Sequence, residues 1–108
     1  TLHINFDFGK AMLRPDAMPA IERVTAALKD NPDLNIEIVG HTDNQGTSAG
    51  NLDLSKRRSA AVARGLADQF KLGADRFKTD GLGDTKPMAK NDTAEGRAAN
   101  RRVEFSKL

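Results

Sequence analysis

Residues 34–58 read LNIEIVGHTDNQGTSAGNLDLSKRR, and this stretch decides the fold. Leu34, Ile36 and Ile38 alternate with Asn35, Glu37 and Val39, the period-two pattern of a strand, which runs up to Gly40 and His41. Residues 42–50, TDNQGTSAG, have turn composition throughout and read as a surface loop, the kind of segment on which function concentrates. Asn51 is a good N-cap for a long helix to about Phe70, with Lys71-Leu72-Gly73 as its exit.

Upstream, Leu2, Ile4 and Phe6 alternate with His3, Asn5 and Asp7, giving a first strand. Pro15, Asp16 and Pro19 suit a helix start, because first-turn amides have no intrahelical partner to lose. Ile21, Val24 and Leu28 then repeat at helical spacing as far as Asn31-Pro32. Strand, helix, strand predicts a parallel crossover. Downstream, Phe77 to Leu82 reads as a third strand, Thr93 as the cap of a short helix through Ala99, and Arg102 to Ser106 as a last strand with Val103 and Phe105 inward. The expected fold is α/β, a β-α-β-α-β-(α)-β two-layer sandwich with helices packed on a mixed sheet.

Composition is consistent with one globular domain. Of 108 residues, 38% are hydrophobic, and no apolar run approaches the ~18 residues of a membrane-spanning helix. The formal charge of +2 is too small to imply nucleic acid as a partner. Five Phe with no Trp or Tyr supply little for stacking bases or sugars, and the absence of Cys excludes disulfides and thiolate metal sites.

The second helix breaks its own pattern. At 100° per residue from Leu54, residues Ala61, Val62, Gly65 and Leu66 share an arc of about 140° with it, while Lys56, Arg57, Arg64, Asp68 and Lys71 crowd the other side. Arg58 falls inside the apolar arc, where a guanidinium needs a partner or a route to solvent. The loop before the helix supplies acceptors, Asp43 foremost, so Asp43 and Arg58 are expected to converge at one solvent-facing rim. They either pair with each other there or together accept a group carrying both charges, the arginine taking its anion and the aspartate its cation.

These residues carry a resemblance. Asn5-Phe6-Asp7-Phe8, Gly40-His41-Thr42-Asp43-Asn44, Asn51-Leu52-Asp53-Leu54-Ser55-Lys56-Arg57-Arg58, Asp80-Gly81-Leu82-Gly83 and Asn100-Arg101-Arg102-Val103-Glu104-Phe105 occur in the order and spacing of the OmpA-like C-terminal peptidoglycan-binding domains. That family is shared by outer-membrane protein A, the peptidoglycan-associated lipoprotein and flagellar motor protein B. The resemblance implies a non-enzymatic domain, without cofactor, that binds the meso-diaminopimelate of the peptidoglycan stem peptide. Asp43 would hold the ligand's ammonium and Arg58 its carboxylate, with Asn51, Asp7, Thr42, Phe8 and Gly9 lining the same pocket. It further implies one domain, residues 1–108, excised from a longer envelope protein of a Gram-negative periplasm. Attachment to the outer or inner membrane would come only through a preceding region, and the resemblance leaves room for a homo-oligomer.

Two other readings use the same residues. His41 and Asp43 suggest a metal module, but two ligands fall short of the usual three. Lys56, Arg57 and Arg58, with Arg64 and the distant Arg101 and Arg102, suggest a nucleic-acid module, but acidic residues intersperse the run and such runs are usually solvated faces.

Overall fold

The computed structural model describes residues 2–6 and 14–108. Strand β1 is Leu2–Asn5; a 3-10 turn at Pro15–Ala17 leads into helix α1, Met18–Asp30; β2 is Ile36–Gly40; α2 is Ser48–Phe70; β3, Phe77–Gly81, follows a 3-10 turn at Ala74–Arg76; α3 is Ala94–Asn100; and β4 is Arg102–Lys107. The succession of elements is the expected one, and the sheet is mixed.

Its order is β1-β4-β2-β3. The crossover through α1 is parallel in direction, but β1 and β2 are not neighbours. β4 lies between them, antiparallel to both, with Val103 opposite Ile4 on one side and Gly40 on the other. Burial explains the insertion: Val103, Phe105 and Arg102 are all buried, so the last strand is the one best suited to a central position. α2 makes a true parallel crossover, β2 pairing with β3 from Ile36↔Phe77 to Gly40↔Gly81. α1 contributes Ile21, Val24 and Leu28, and α2 contributes Val62 and Leu66, to one core with Ile4, Phe6, Ile36, Ile38, Val103 and Phe105.

α2 begins a turn earlier than expected. Thr47, in extended backbone, accepts a hydrogen bond on its hydroxyl from the Gly50 amide at 3.0 Å, so it is the N-cap. Asn51 is thereby a buried residue inside the helix. The buried face is also turned from the one centred on Leu54: it runs Asn51, Ser55, Arg58, Ser59, Val62, Leu66. The cause is close backbone approach. A Cβ on Gly40 would lie 2.0 Å from the Ser55 carbonyl oxygen, and one on Gly81 would lie 2.5 Å from the Lys56 amide nitrogen. Two glycines in register on adjacent strands let α2 settle onto the sheet there, and only a residue as small as serine fits beneath.

Gly40→Ala should therefore lift the first half of α2. A loss of about 2–3 kcal/mol in urea unfolding is expected, and a change under 0.5 kcal/mol would show that the helix can shift freely.

Candidate functional site

The carboxyl end of β2 runs straight into His41, Thr42 and Asp43, all buried. Thr42 is fastened by its amide to the Gly83 carbonyl at 2.9 Å, and its hydroxyl donates to the Asp43 carbonyl at 2.8 Å. Gly83, left-handed at φ +60°, donates its own amide to the Ser55 hydroxyl at 2.9 Å. The loop, α2 and the segment after β3 are thus tied together around Thr42.

Asp43 is 2% exposed. One carboxylate oxygen accepts the Gln45 amide at 3.0 Å, and the other accepts Nη1 of Arg101 at 3.1 Å. Arg58 is 0% exposed, the largest fully buried side chain among the described residues. Its Nη1 donates to the His41 carbonyl at 3.0 Å, and its guanidinium lies over the Phe6 ring, 5.1 Å from the centroid. Burial first, then the neighbouring charge of Arg101, pull its pKa down to about 10, against the opposing pull of Asp43 and with a small further push from Arg57. It is still a cation at neutral pH.

The structure brings Asp43, Arg58, Thr42 and Asn51 to one end of the sheet. Asn51 reaches Asp84 at 3.5 Å. Asp7, Phe8 and Gly9 lie outside the described residues. One expectation is corrected: Asp43 and Arg58 do not stand at a solvent-facing rim but below the surface, Arg58 against the Phe6 ring and the His41 carbonyl and Asp43 against Arg101 and the Gln45 amide. Two surface grooves lie elsewhere, one beside Val24, Leu28 and Phe105, the other beside Ala63, Ala67 and Phe77. Arg57, one residue before the buried arginine, pairs with Asp53 on the solvent side at 2.8 Å.

The ion-pair partner that sequence reasoning missed is Arg101. It sits at the C-cap of α3, just before β4, and its Nε donates to the Phe6 carbonyl at 3.0 Å while Nη1 holds Asp43. The signal was present, since Arg101 belongs to the Asn100-Arg101-Arg102 motif, but nothing local connects it to a residue 58 positions earlier. Asn100, fully buried, accepts the Met88 and Ala89 amides and donates to the Ala89 carbonyl, which shapes the loop beside the site. Arg102 donates to the Lys86 carbonyl and pairs with Glu104. The basic run of the nucleic-acid reading is therefore dispersed: Lys56 and Arg57 are exposed, whereas Arg58 and Arg102 are buried and tied to the protein.

His41 lies on the opposite strand face, Nε2 3.7 Å from the Glu104 carboxylate, with neither ring nitrogen in a hydrogen bond among the described residues. Burial and the charge of Arg102 lower its pKa below 6.5, Glu104 partly opposing. The folded protein thus resists a proton that the unfolded chain accepts. Stability is undiminished above pH ~6.5 and falls as pH drops through that value toward the lowered folded pKa. Urea midpoints at pH 7.5 and 5 should differ less in His41→Gln than in the wild type; an equal acid loss in both would assign it to other groups.

Residues 5–101 match the model of the OmpA family. The chain is 39% identical over 103 residues to outer membrane porin F of Pseudomonas aeruginosa, covering 95% of this chain and 29% of that protein. Its fold is similar to the crystal structure of the peptidoglycan-associated lipoprotein from Burkholderia pseudomallei, with a TM-score of 0.92 and 30% identity over 98% of this chain and 89% of that one. It is also similar to the cell wall anchor of the T6SS from Pseudomonas aeruginosa, with a TM-score of 0.78 and 35% identity over 95% of this chain and 76% of that one. The chain spans from 29% to 47% of the length of the first curated relatives it matches.

Proposed function

Because the chain belongs to the OmpA family, we propose that it is a peptidoglycan-binding domain that tethers an envelope protein to the cell wall. It does so by non-covalent recognition of diaminopimelate in the stem peptide. The observation that carries the reading is the juxtaposition, at the carboxyl end of β2, of a buried aspartate with buried arginine near it. Two relatives lend support through what they are: a peptidoglycan-associated lipoprotein and a cell wall anchor.

The free end of a diaminopimelate residue is an α-amino acid, with ammonium and carboxylate on one carbon. Asp43 accepts from the ammonium and Arg58 donates to the carboxylate, with Thr42 and Asn51 at the same end of the sheet; the resemblance adds Asp7, Phe8 and Gly9 to the residues proposed to meet the ligand. The chain acts as a binding module with no reaction of its own. Each charge-assisted hydrogen bond contributes ~1.5–3 kcal/mol before desolvation and ordering, so one site binds in roughly the micromolar to millimolar range, and retention on the wall comes from many copies facing a polymer. The setting is the periplasm of a Gram-negative cell.

Comparison of wall types tests this. A lysine-type stem ends its side chain in an ammonium alone, leaving Arg58 without its carboxylate. Retention on purified diaminopimelate-type sacculi should exceed that on lysine-type wall by about tenfold or more. Equal retention on both, lost together as salt rises, would mean attraction by diffuse charge instead.

A further inference from the structure

We propose that Arg101 is a further ligand-binding residue of this site, a second guanidinium that meets the ligand's carboxylate from the accessible side of Asp43 and so requires that carboxylate to be free rather than amidated. The inference rests on the diaminopimelate reading above and adds a specificity determinant to it.

Three observations lead there. Arg101 has the most accessible side chain of the three charged groups, 18% exposed against 3% for the Asp43 side chain, while Arg58 is wholly enclosed. An approaching ligand meets Arg101 first. Its position is held from two sides: the Arg101 carbonyl accepts the Phe6 amide at 2.8 Å, and Nε donates back to the Phe6 carbonyl at 3.0 Å. Little ordering entropy remains to be lost when it takes a ligand. Finally, its donors are incompletely used. Nε and Nη1 are engaged, but Nη2 has no acceptor among the described residues, although it belongs to the guanidinium already bonded to the Asp43 carboxylate.

An α-amino acid head fits that pair. Its ammonium shares the Asp43 carboxylate, whose oxygens each retain acceptor capacity beside the Gln45 and Arg101 bonds. Its carboxylate, on the adjacent carbon, then lies on the side of the unused guanidinium edge. A carboxamide in that place would offer one neutral oxygen in place of a charged pair and would present an N–H₂ donor to a donor. Arg58 lies behind this contact, bound to the His41 carbonyl and seated on Phe6, and supports the same carboxylate from within.

The test measures binding of a stem tripeptide whose diaminopimelate side-chain carboxylate is free, and of the same tripeptide with that group amidated. Calorimetry would be run on the wild-type chain, Arg101→Lys and Arg101→Gln, with thermal melts alongside. Wild type should prefer the free acid by about tenfold or more, and Arg101→Gln should reduce the ratio to about threefold, with Arg101→Lys between. A residue that merely braced the fold would weaken both ligands alike, so a wild-type ratio in Arg101→Gln overturns the proposal. Should Arg101→Gln fail to fold, Arg101→Lys decides in the same way: a reduced ratio supports it and an unchanged ratio overturns it. If the wild type binds neither tripeptide, the diaminopimelate reading itself falls and takes this inference with it, an outcome distinct from an unchanged ratio.

Discussion

Arg58→Ala should abolish retention on sacculi and, in the same variant, lower stability by about 3–5 kcal/mol. The second effect follows from where the side chain lies. Truncation strips the buried His41 carbonyl of its donor, removes a cation from the Phe6 ring, and opens a cavity where the largest fully buried side chain among the described residues had been. It also removes a positive charge that interacts with the buried Asp43. For a chain of 108 residues a loss of that size lowers the melting temperature by roughly 10–20 °C. Binding must accordingly be measured well below the new transition, with circular dichroism confirming a folded population. Arg57→Ala, removing only an exposed i,i+4 pair with Asp53, should change stability by less than about 0.5 kcal/mol and leave retention intact. Wild-type retention by folded Arg58→Ala would remove this residue from the site.

Asp43→Asn is expected to cost at least tenfold in retention, with a smaller structural effect of about 1–3 kcal/mol. The substitution keeps the shape and an oxygen that can still accept the Gln45 amide, but it leaves Arg101 facing a neutral group. The ligand's ammonium then loses the carboxylate assigned to it. Free meso-diaminopimelate should compete with sacculi for the wild type and make no difference to the residual binding of the variant. A dicarboxylic acid of the same length without amino groups should compete with neither. Retention by Asp43→Asn that diaminopimelate still displaces would mean that another group holds the ammonium.

Much of this architecture was legible in short windows of sequence because periodicity is a local property. The alternation around Ile36 and Ile38, the spacing of Ile21, Val24 and Leu28, and the hydroxyl of Thr93, which accepts from the Gly96 amide at 3.0 Å, each report on a few neighbouring residues. The start of α2 is not legible locally, because Thr47 and Asn51 are both competent caps; the cap is Thr47, whose hydroxyl takes the Gly50 amide. Its buried face is turned away from the hydrophobic arc because burial there follows the space between helix and sheet, not hydrophobicity. At Gly40 and Gly81 the spacing between helix and sheet is so small that Ser55 and Ser59, not Leu54, face inward.

The same division runs through the site. Arg58 announced itself from sequence alone as a charge on an apolar helix face, since the helical wheel is fixed by 100° per residue whatever surrounds it. Asp43, at the turn after a hydrophobic strand, was equally visible. Sequence alone thus determined the elements, their succession, and two charged residues whose placement demanded partners. Only the tertiary structure decided that β4 inserts between β1 and β2, and with it that Arg101 arrives beside Asp43 and Phe6 and that the charged group lies under the surface. The reason is range: strand order and ion pairing across 58 positions depend on which strand gains most from burial on both edges, a comparison made over the whole chain and written in no part of it.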